Sequence, residues 1–144
     1  MVNYPLLFAV ESSLSAGMGS TWISSGSVAQ SITVAIPPEF EGPGGGFSPE
    51  DLYALALVNC FGATFKVIAE KSRLAFESLK LSGELTVDRD EAGKPWMKHF
   101  ALRAELMGTP DADRARRLLE KTSESCMILN SVKTEKSFEF LVGA

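Results

Sequence analysis

Between Leu79 and Leu106 apolar and polar residues alternate, the two-residue period of strands with one buried face. Leu79, Leu81, Leu85 and Val87 carry the first run, with Gly83 in step, and Phe100, Leu102, Ala104 and Leu106 carry the second. The polar Asp88–Lys94 segment between them predicts a turn, so the pair reads as a hairpin. On either side of this hairpin the pattern lengthens to that of helices.

Upstream, Ser48 is placed to cap a helix, Pro49 suits its first position, and Glu50 and Asp51 put negative charge at its positive end. Phe47 and Leu52 have the spacing of a hydrophobic staple. The helix is predicted to run to about Lys71. It is apolar nearly all round, which calls for enclosure by other elements or by a partner subunit. Downstream, Thr109-Pro110-Asp111-Ala112-Asp113 announces a second helix. Ala115, Leu118, Leu119, Thr122, Cys126 and Leu129 follow its spacing, which places Cys126 on the buried stripe. Phe138, Phe140 and Val142 predict a closing strand. The first third of the chain is read as strands over Leu6–Ala16, Ser20–Ser24 and Val28–Ile36, with bends at Gly17-Met18-Gly19 and Ser25-Gly26. Pro37-Pro38 ends that region, and Phe40–Gly46 reads as a loop. Strands, helix, strands, helix, strand is an α+β order, and with no internal repeat or linker it is read as one domain over residues 1–144.

Charge narrows the partners. Fourteen basic against eighteen acidic side chains leave a net charge of −4, which gives no general attraction to nucleic acid or anionic lipid. Arg114, Arg116 and Arg117 form the one basic group, and they read as a solvated helix face. The uncharged stretch Leu52–Phe65 is fourteen residues, shorter than a bilayer span of about 20. A core helix and no membrane partner are expected. Met1–Pro5 lacks a basic start and Leu6–Val10 is a short apolar run, so no secretion signal is read and a reducing, cytoplasmic setting is expected.

Candidate chemistry then comes down to thiols. Cys60 and Cys126 are the only cysteines and His99 the only imidazole, too few soft ligands for a structural zinc site. There is no CxxC, and a Cys-His hydrolase would have to rely on His99 alone. Gly44-Gly45-Gly46 lacks the spacing of a phosphate-binding loop and reads as a flexible connection. Each cysteine alone is as well explained as a small core residue, and Glu50 as a complement to the helix dipole.

One combination changes this balance. Phe40-Glu41-Gly42, then Ser48-Pro49-Glu50-Asp51-Leu52, then Asn59-Cys60-Phe61, followed 66 positions on by Ser125-Cys126-Met127-Ile128-Leu129-Asn130-Ser131, resembles the OsmC/Ohr family of osmotically inducible and organic hydroperoxide resistance proteins. The resemblance covers most of the chain. It implies an OsmC-like fold with antiparallel sheets around a long central helix, assembled as an intertwined homodimer with sites at the interface. It also implies a thiol peroxidase for organic hydroperoxides, with Cys60 the peroxidatic thiolate, Cys126 the resolving thiol and Glu50 an organising carboxylate. No bound cofactor is implied; an external dithiol would be the reductant.

Helix geometry constrains Glu50. It stands ten residues before Cys60, an axial distance of roughly 15 Å and about 80° around the helix, beyond a Glu side chain. Any help Glu50 gives Cys60 must come from another chain or through an intermediary, and in the implied dimer Glu50 is expected to lie nearer the partner's Cys60 than its own. The chain departs from the family pattern in two places. Family peroxidases hold the thiolate with an arginine from the loops before the central helix, whereas here no Arg precedes Arg73 and no Lys precedes Lys66. Glu39 stands before Phe40, and a carboxylate there would raise a thiol pKa rather than lower it. The usual Cys-Pro is Cys126-Met127. Two readings follow: a dimeric thiol peroxidase, or an OsmC-like dimer that binds an apolar small molecule in an interface pocket lined by unreactive cysteines.

Overall fold

The computed structural model describes all residues from Met1 to Ala144. Two compact units divide the chain, Met1–Leu52 and Tyr53–Ala144.

In the first unit β1 (Glu11–Ser13), β2 (Trp22–Ser25) and β3 (Ser31–Val34) form an antiparallel meander in the order β1-β2-β3. The three expected strands are present, but all are shorter than their sequence patterns. The Leu6–Ala16 run contracts to Glu11–Ser13, because Leu7 and Phe8 are 91% and 84% exposed and have no core on which to order a longer strand. Val28–Ile36 contracts to Ser31–Val34, and the short Ser20–Ser24 strand shifts to Trp22–Ser25. Ser12 and Ser24 pair across β1 and β2 through their hydroxyls at 2.6 Å. Past Pro37 the chain makes a 3-10 turn over Pro38–Phe40 and returns to β3, where Phe47 N–H donates to Thr33 O and Ala35 N–H to Phe47 O. Gly46 makes this approach possible, since a Cβ there would lie 2.7 Å from Thr33 O.

Helix α1 spans Pro49–Lys71, as its start signals predict. Its first turn is held by a reciprocal box: Asp51 N–H donates to Ser48 Oγ at 2.9 Å and Ser48 N–H to Asp51 Oδ2 at 3.0 Å. By length and composition α1 could cross a membrane, with a mean hydropathy of 1.7 over its most apolar window. Its buried residues Leu57, Phe61, Phe65 and Ala69 instead form one stripe at i, i+4 spacing within a protein core. Leu55 and Val67, on other faces, are 41% and 52% exposed, so this chain alone covers only part of the helix.

In the second unit β4 (Ser78–Arg89) and β5 (Pro95–Met107) form the predicted antiparallel hairpin, and β6 (Glu135–Val142) lies parallel to β5, giving the order β4-β5-β6. Alternation along all three puts Leu79, Leu81, Phe100, Leu102, Ala104, Leu106, Phe138 and Phe140 into one core with the α1 stripe and with Ala115 and Leu119 of helix α2 (Ala112–Ser125). Asp111 caps α2 by accepting the Arg114 N–H at 3.0 Å, and the Arg114 guanidinium donates to Ser72 O just beyond α1. Phe61 stacks on Phe138 and Phe140 at centroid separations of 6.2 and 5.9 Å, anchoring the middle of α1 on β6.

One expectation is corrected here. Cys126 does not belong to α2; the helix ends at Ser125 and Cys126 is its C-cap, with extended backbone at φ −69° and ψ 112°. Leu129 falls in a separate 3-10 turn, Leu129–Ser131. The helical spacing continues past the break because the turn returns Leu129 to the same core, so periodicity alone could not show where the helix stops.

Candidate functional site

The structure brings Cys60 and Cys126 together. Cys60 projects from α1 next to the fully buried Phe61, and stacking of that ring sets which way the helix presents the thiol. Cys126 arrives from the end of α2, where its N–H donates to Thr122 O at 3.0 Å and closes the helix. Both are free thiols; Cys60 is half-buried and Cys126 is fully buried. The two thiols are neighbours, and Cys60 is among the groups that act on Cys126.

Their environments differ. Burial first, and then the neighbouring Cys60 sulfur, push the Cys126 thiol from its ordinary 9.0 up to about 11; the Leu129 amide and the Thr64 hydroxyl oppose this only in part. No cation is among the groups acting on it. Cys126 is therefore a proton-bearing thiol at neutral pH. Cys60 is the accessible member, and its Sγ accepts the Ile128 main-chain N–H at 3.4 Å.

The turn that delivers this N–H is well tied. Asn130 N–H donates to Cys126 O at 3.0 Å and the Asn130 side chain to Glu124 O at 2.9 Å. Ser131 donates through its N–H to Ile128 O at 3.0 Å and through its hydroxyl to Met127 O at 2.8 Å. Met127 itself is 71% exposed beside the pair.

Glu50, the third candidate, lies in the first turn of α1. Its Oε1 is buried and has no hydrogen-bond partner within this chain. No group of three or more His, Cys, Asp or Glu residues is placed to hold a metal ion. His99, in β5, pairs in register with Thr86 and Glu135 and takes no part in the thiol cluster.

Sequence reasoning named both thiols but missed Thr64 and Ile128. Thr64 was findable, since it stands four residues after Cys60 on the same helix face. Ile128 acts through its backbone, so its side chain carries no signal.

Comparison with known proteins decides the family. Residues 42–140 match the family model described as OsmC-like protein, a span that contains Glu50, Cys60 and Cys126. The chain belongs to the OsmC family. The chain is 30% identical over 116 residues to YmaD of Bacillus subtilis, an uncharacterized protein, covering 77% of this chain and 75% of that one. Its fold is similar to that of an OsmC-like protein of unknown function from Vibrio cholerae, with a TM-score of 0.84 at 19% identity, covering 95% of this chain and all of the other. It is also similar to an organic hydroperoxide resistance protein, OsmC, from Legionella pneumophila, with a TM-score of 0.74 at 21% identity over 99% of this chain and 100% of that one. These likenesses establish the α+β OsmC-like fold.

Proposed function

We propose that this OsmC-family chain is a thiol peroxidase for organic hydroperoxides. The observation that carries the reading is the pairing of an accessible, hydrogen-bonded Cys60 with a buried, protonated Cys126. The Cys60 thiolate attacks the terminal peroxide oxygen, the O–O bond breaks, and the alkoxide leaves as an alcohol after taking up a proton. The resulting sulfenic acid condenses with the Cys126 thiol, forming a disulfide and releasing water. An external dithiol then reduces the disulfide and is itself oxidised. The half-buried first thiol and fully buried second suit this order, because peroxide reaches Cys60 first while Cys126 waits beside it.

The same reading makes the functional unit a homodimer in the reducing interior of the cell. A second copy would cover the exposed apolar residues of the first unit and the uncovered faces of α1, and would supply the group that the buried Glu50 oxygen lacks. Glu50 would then serve the partner's Cys60.

The test is consumption of cumene hydroperoxide by the purified protein with a dithiol reductant. Turnover is expected, and Cys60→Ser should abolish it. Absence of turnover in the unmodified, fully reduced protein would sink the peroxidase reading. It would favour the second reading, an OsmC-like dimer that binds an apolar small molecule in an interface pocket lined by unreactive cysteines.

A further inference from the structure

A peroxidatic cysteine needs something to favour its thiolate, and the first 65 residues of this chain contain no Arg or Lys to do so. We propose that Cys60 is activated by the main-chain N–H of Ile128, presented on the turn from Cys126 to Ser131. This rests on the peroxidase reading for its purpose, though not for its geometry.

Three observations carry it. The Ile128 N–H points at Cys60 Sγ at 3.4 Å, within the range of an N–H···S hydrogen bond. A donor of this kind binds a negatively charged sulfur more strongly than a neutral one, so it favours ionisation. The turn is built to hold the donor still: Asn130 ties it back to α2 through Glu124 O, and Ser131 braces the Met127 and Ile128 carbonyls. The neighbouring Cys126 retains its proton, for the reasons of burial given above, so it sets no second negative charge beside this sulfur. Cys60 thus faces one fixed amide donor. Met127 in place of a proline leaves the chain entering this turn free of ring constraint, and Ile128 sits at φ −67° and ψ −43° with its N–H directed out of the turn.

The experiment measures alkylation of Cys60 by iodoacetamide in the full-length reduced protein, resolved from Cys126 by peptide mass spectrometry, at pH 7 and at pH 10. Replacing Ile128 with its α-hydroxy acid turns the Met127–Ile128 amide into an ester, which deletes the N–H and weakens the Met127 carbonyl that accepts the Ser131 hydroxyl; Ser131→Ala, which removes that bond alone, is the control and should leave alkylation at pH 7 within about twofold. Ile128→Pro deletes the N–H too, at a φ that proline adopts. Either loss of the N–H should slow alkylation at pH 7 about tenfold, the scale of one hydrogen bond to a charged group, while leaving the rate at pH 10 within about twofold. Ile128→Ala, which keeps the N–H, should match the unmodified protein at both. An ester protein that alkylates normally at pH 7, or one slowed equally at both pH values, would overturn the proposal. Should the turn variants fail to fold, the amide proton shift of Ile128 in the otherwise native protein should move on Cys60→Ala, and an unmoved shift would overturn it. Failure of hydroperoxide turnover is a separate result, which removes the peroxidase reading and leaves the alkylation ratio intact.

Discussion

Alkaline pH should destabilise this protein specifically through Cys126. Its thiol is fully buried and pushed from the ordinary 9.0 up to about 11, so the folded chain keeps a proton that the unfolded chain releases. The folded value is the raised one, and the stability it confers is whole below pH 9 and is lost as pH climbs to 11. With about 1.4 kcal/mol per pH unit, the loss is roughly 2–3 kcal/mol, about half of it gone by pH 10. Lysines and tyrosines titrate in the same range, so the quantity to measure is a difference. Urea unfolding of the native protein and of Cys126→Ala, at one protein concentration and at pH 8, 9, 10 and 11, isolates it. The packing lost with the sulfur enters equally at every pH, and the advantage of the native protein over the variant should shrink by the stated amount. A gap that holds constant from pH 8 to 11 would refute the reasoning, because the thiol would then be ionising as readily inside the fold as outside it.

Two further outcomes test the scaffold that presents the thiols. Phe61→Ala removes a fully buried ring stacked on Phe138 and Phe140, and denaturant unfolding should show a loss of about 3–5 kcal/mol. Tyr53→Phe deletes the 2.6 Å bond to the Thr134 hydroxyl and leaves that buried group unpaired. It should cost about 1–3 kcal/mol and increase hydrogen exchange where the chain enters β6.

Much of the fold was legible because its periods are strong and its boundaries are chemically marked. The β4–β5 hairpin follows from alternation about the Asp88–Lys94 turn, and α1 begins where Ser48-Pro49-Glu50-Asp51 says it should. The reciprocal hydrogen bonding of Asp51 was not visible, since Asp51 and Glu50 both satisfy the dipole and only geometry chooses between them. The first unit was over-read. Apolar composition there predicts strand, but a strand persists only where a ladder or a core holds it, and Leu6–Val10 has neither within one chain.

The sequence by itself determined the α+β order of elements, the inventory of two thiols and one imidazole, and the absence of any Arg or Lys before Lys66. These are matters of composition and local period, which need no third dimension. Only the tertiary structure decided that the thiols meet, that Cys126 caps α2 rather than lying within it, and that one thiol is buried while the other is reachable. The donor on Cys60 is a main-chain N–H from 68 residues away, a group every residue but proline carries. Which such group matters depends on where the chain folds back.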